Sequence, residues 1–116
     1  MNQKYMNSKE LQEITNKLSK EIFEKSFPYS VTFDDSTSAN TYKLIYDPEN
    51  IPTGDKFECR IEISAKLRNA TSRQFIYSLL HCLKTYYIWW LGHENDERIT
   101  ISKEKVEHFI EYYENL

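Results

Sequence analysis

The chain has 116 residues, 40% of them hydrophobic and 28% charged, with only 2 Gly and 3 Pro and a formal net charge of −3. That length supports one hydrophobic core, so a single domain over 1–116 is expected, and so few Gly and Pro exclude a loop-rich or disordered chain. A net acidic chain has no general attraction for phosphate backbones, so nucleic acid is not expected as a partner.

The start, MNQKYMNSKE, lacks the apolar stretch of a signal peptide. Asn7 followed by Glu10 forms a capping-box signature, and Leu11, Ile14, Leu18 and Ile22 repeat at helical spacing. A first amphipathic helix is therefore predicted over about 8–26, ended by Pro28, which drives Phe27 out of helical geometry. Its other face, with Gln12, Glu13, Asn16, Lys17 and Lys20, reads as a solvated surface.

Three strands follow, at about 29–34, 41–47 and 57–64. The third alternates cleanly, with Phe57, Cys59, Ile61 and Ile63 on one face and Glu58, Arg60 and Glu62 on a wet one. Between the second and third strands, DPENIPTGD is a turn-rich loop whose single glycine cannot form a phosphate cradle. Successive strands with short links predict an antiparallel meander with helices packed on one side.

SRQFIYSLLHCLKTYYIWWL, residues 72–91, is the longest apolar and aromatic run. Thr71 with Gln74 starts a helix there and Gly92 is placed to end it. Its apolar arc is wide enough to predict burial on most sides, leaving a strip of Gln74, Ser78, His81, Thr85 and Ile88. Arg73, His81 and Lys84 interrupt the run and argue against a membrane span. Cys59 and Cys82 read as buried free thiols of a reducing compartment, which with the missing signal peptide predicts a cytoplasmic protein. HENDER, residues 93–98, reads as an acidic solvated link. Ser102 caps a last helix over about 103–114 that buries Val106, Phe109, Ile110 and Tyr113, with Glu107 and His108 at the flanks. The expected fold class is α+β: a first helix, a three-stranded antiparallel sheet, a buried central helix and a closing helix.

The stretch QFIYSLLHCLKTYYIWWLGHENDERITISKEKVEHFIEYY, preceded by IYDPEN and the strand CRIEISAKL, resembles the C-terminal half of small phage-type zincin-like proteins related to the ImmA/IrrE and SprT metallopeptidases. The resemblance covers about residues 44–113 and implies a zincin-like fold. His81 matches the first zinc-binding histidine and Glu107 the acidic third ligand, but Cys82 stands in place of the general-base glutamate and Thr85 in place of the second histidine. A catalytic zinc needs about three protein ligands and an open water position. Here one helix supplies a single imidazole, and a thiol lacks the carboxylate geometry and basicity to take a proton from metal-bound water.

The resemblance therefore implies a catalytically inactive metallopeptidase-like module that binds protein. With the Asn, Lys and Tyr usage it implies a mobile-element (phage) product acting on a bacterial host protein, such as a defence or CRISPR component. His81 and Glu107 are then a vestigial metal site, and Tyr77, His93, Glu94, Tyr112 and Tyr113 are candidate interface residues, exposed tyrosines being favoured anchors. No cofactor is expected. The alternative is a divergent zinc hydrolase built on His81 and Glu107.

Overall fold

The computed structural model describes residues 6–36, 42–46, 59–90 and 101–116. Helix α1 (Ser8–Phe23) leads through β1 (Ser30–Asp34) and β2 (Tyr42–Tyr46) to β3 (Cys59–Ser64). A 3-10 turn (Ala65–Asn69) connects to α2 (Ser72–Lys84), which runs on as a π-helical extension (Thr85–Trp90), and α3 (Lys103–Glu114) closes the chain. The class is α+β, as the patterning predicts.

Both halves of the capping box at α1 are made. The Glu10 N–H donates to Asn7 Oδ1 at 2.8 Å, and the Asn7 N–H to Glu10 Oε1 at 3.3 Å. Leu11, Ile14, Leu18 and Ile22 are buried together with Thr15 and Ser19. Thr15 satisfies its buried hydroxyl by donating to the Leu11 carbonyl at 2.8 Å. The helix stops three residues before the predicted end at Ser26. Glu24 adopts a left-handed conformation, φ 60° and ψ 24°, while its N–H donates to the Lys20 carbonyl. This turn folds Phe27 back into the core, edge-on to Tyr86 with ring centroids 5.2 Å apart. The Ser19 hydroxyl donates to the Lys25 carbonyl and so satisfies an acceptor freed by the turn. The Ser19 and Tyr87 hydroxyls are also hydrogen-bonded to each other at 2.7 Å, which ties the end of α1 to the extension of α2.

The sheet is mixed, and this corrects the all-antiparallel meander. Strand order is β1-β3-β2, with β3 parallel to β1 and antiparallel to β2. The link between β1 and β2, residues 35–41, is longer than a tight hairpin needs. Its reach of about 23 Å well exceeds the ~10 Å width of two strand spacings, so the chain can leave a central slot open. β3 carries the inward apolar pair Ile61 and Ile63, both 0% exposed, and the central slot covers them from both sides. Val31 and Leu44 flank Ile61 in register. On the outer face Glu62 receives Arg60 at 3.1 Å and, from directly across β2, Lys43 at 3.7 Å. This is the wet face that the alternation of β3 predicts; Phe57 and Glu58, assigned to the same strand, lie outside the described residues.

Gln12 is not the solvated residue its position on the polar face suggests. Its Nε2 donates to the Tyr29 carbonyl at 3.1 Å, and its Oε1 accepts from the Val31 N–H at 3.0 Å. A parallel strand would make this same pair of bonds around Ser30. The side-chain amide therefore closes the outer edge of β1 from α1.

In α2, Thr71 accepts from the Gln74 N–H at 3.1 Å. The helix buries Phe75, Ile76, Ser78, Leu79, Leu80, Cys82 and Leu83, and leaves Arg73, Gln74, Tyr77, His81 and Lys84 exposed. It is amphipathic rather than enclosed on most sides, and its outer line differs from the predicted strip. Ser78 turns inward, its hydroxyl satisfied by the Gln74 carbonyl at 2.7 Å, and Tyr77 stands outside in its place. At Thr85 the α-helix gives way to π geometry, the Thr85 N–H being shared between the Cys82 and His81 carbonyls. The predicted end at Leu91 and the cap at Gly92 lie outside the described residues. α3 starts on Ser102, which accepts from the Lys105 N–H at 3.3 Å, and buries Val106, Phe109, Ile110 and Tyr113 as its periodicity predicts.

The core lies between sheet and helices: α1 packs on β1, α2 on β2 and β3, and α3 on α1 and α2. Among the described residues no helix is long and apolar enough to cross a membrane.

Candidate functional site

Residues spaced four apart on a helix stack along one face, and Arg73, Tyr77 and His81 do so on the exposed side of α2. Each is held by a neighbour. Arg73 makes a two-pronged ion pair with Glu107 of α3, both N···O distances being 2.6 Å. The Arg73 guanidinium also lies 5.9 Å from the centre of the Tyr77 ring. His81 stands edge-on to Tyr42 of β2, with ring centroids 5.3 Å apart and planes at 66°. The result is a continuous outer line from α3 across α2 to the sheet. Tyr42 and Tyr77 are 39% and 37% exposed, so both rings are half-packed and half-presented.

The hydrogen bonds and charge of Arg73 hold the Glu107 carboxyl below its usual range, and Glu107 in turn raises Arg73. Arg73 precedes His81 by eight helical residues, or about 12 Å along the axis. Glu107 is therefore bound near the first turn of α2 and His81 sits near its last turn. The structure pairs Glu107 with arginine and His81 with tyrosine rather than joining them as one site.

The neighbours of His81 on α2 and its extension, Cys82 and Thr85, offer no ligand beside it. Cys82 is 1% exposed, and burial, with a smaller contribution from nearby Cys59, pushes its thiol up to about 12. Burial raises Cys59 to about 12 as well. A thiol at that value is essentially all protonated at neutral pH, and the thiolate is the form that attacks or ligates. Thr85 turns its hydroxyl back to donate to the His81 carbonyl at 2.9 Å. Among the described residues no three His, Cys, Asp or Glu side chains come together to hold a metal.

The remaining predicted interface residues divide. Tyr112 is 39% exposed, with the Lys17 ammonium 4.8 Å above its ring. Tyr113 is a correction: it is 1% exposed and stacked on Phe75 at 5.4 Å and 15°, which removes it from any surface. Adjacent tyrosines on a helix point about 100° apart, so burial of one turns the other outward. His93 and Glu94 lie outside the described residues. His108 is exposed and, with Glu21, Ser102, Glu104 and Lys105, lines an open cavity of about 560 Å³ between α1 and the start of α3.

Sequence reasoning missed Arg73 as part of this face, and it numbered Tyr42 among the tyrosines open to exposure without placing it in the candidate interface. Arg73 figured only as an interruption of an apolar run, and the opposite charge it meets is 34 residues away. The available signal is the i, i+4 spacing of Arg73, Tyr77 and His81, which shares His81 with the predicted strip but runs through Arg73 and Tyr77 instead of Gln74 and Ser78.

No protein-family model matches the chain, and neither a curated protein nor a solved structure matches it.

Proposed function

We propose that this chain is a catalytically inactive, metallopeptidase-like module that binds another protein through the outer face of α2 and Tyr42. The observation that carries this reading is the row of part-exposed rings, Tyr42, His81 and Tyr77, each held by a neighbour within the fold. Rings already fixed lose little side-chain freedom on docking, and Tyr and Arg are the residue types enriched at interface hot spots. The arrangement around His81 supports a binding role over hydrolysis, since Glu107 is committed to Arg73 and Cys82 is buried as a thiol. The zincin-like resemblance supports a mobile-element protein whose partner is a cytoplasmic bacterial host protein, such as a defence component.

Wild-type protein and the variants Tyr77→Ala, Tyr42→Ala and His81→Ala, each checked for folding by circular dichroism, test this in pull-downs from bacterial lysate. Wild type is expected to retain one stoichiometric partner. A hot-spot ring truncated to Ala weakens binding about 30-fold, the equivalent of ~2 kcal/mol. A partner held equally by all four proteins would move the interface elsewhere, and no partner at all would remove the reading. Elemental analysis of tag-free protein challenged with zinc, beside His81→Ala, tests the competing hydrolase. Near-equimolar zinc, lost in the variant, would replace the binding module with a divergent enzyme.

A further inference from the structure

We draw no further inference here: the strongest candidate, the outer edge of β2 beside Tyr42, adjoins the face already assigned to a partner, and nothing in the structure shows what covers it.

Discussion

Replacing Gln12 tests whether a side-chain amide closes the sheet. The two bonds it makes to β1, at 3.1 and 3.0 Å, are part-buried, and Nε2 makes a longer third contact with Asn16 Oδ1 at 3.4 Å. Each bond of this kind is worth about 1 kcal/mol net, so Gln12→Ala should lose about 2 kcal/mol. For a domain of this size that lowers Tm by about 8 °C. Gln12→Glu is the sharper variant. It keeps an oxygen for the Val31 N–H but sets a second oxygen against the Tyr29 carbonyl, where Nε2 now donates. Without that donor, the carboxyl must be protonated to satisfy the carbonyl, which raises its folded pKa above the unfolded value of about 4.3. The bond's contribution is then fully present below the unfolded pKa and lost as pH rises through the folded one. Urea unfolding at fixed ionic strength, run on both proteins at each pH, should show Gln12→Glu nearest wild type at about pH 4 and falling away toward pH 7. A stability difference that does not vary with pH, or a Gln12→Ala variant within ~0.3 kcal/mol of wild type, would refute the edge-closing role.

Three further measurements bear on the fold. Glu24→Gly should raise thermal stability by up to about 1 kcal/mol, because glycine enters the left-handed region without a Cβ clash, whereas Glu24→Val should lower it; equal melting curves would mean the turn carries no strain. With both thiols raised to about 12 and buried, Cys59 and Cys82 should resist iodoacetamide at pH 8 in native protein and react fully in urea; native labelling at the rate of free cysteine, read by mass spectrometry, would contradict the burial. Because Glu107 is held below its usual range in the fold, its tie to Arg73 contributes above the ordinary carboxylate range and is lost as pH falls through the depressed value; NMR titration of the Glu107 carboxyl should show that depression, and its disappearance in Arg73→Ala.

What the sequence made legible is what short-range rules govern. Asn7 with Glu10, the alternation through Cys59, Ile61 and Ile63, and the spacing of Val106, Phe109, Ile110 and Tyr113 each depend on residues within a few positions of one another. Strand order does not, because the placing of β3 between β1 and β2 depends on which apolar face most needs cover. Gln12 departs from the solvated role its position suggests for the same reason. A helix pattern separates a buried side from an open side, but not water from an unpaired strand edge. At the candidate site, that Cys82 and Thr85 offer neither a carboxylate nor an imidazole beside His81 is plain from residue types alone. The commitment of Glu107 to Arg73 was not, since a carboxylate on α3 has several cations within its possible reach and only packing chooses among them.

The position of β3 has a consequence for how the molecule comes into being. The strand that joins the other two is made last, so a nascent chain that ends between β2 and residue 59 holds two of the described strands without the third that pairs with both. Gln12 can shield one side of β1, but no ladder forms until the third strand leaves the ribosome. α2 and α3 follow later still, and with them the cover for Ile61 and Ile63. Because contacts distant in the chain must close before they stabilise anything, the N-terminal half should gain no folded state of its own during synthesis. This fold should form only once α3 has been made, as a single cooperative event.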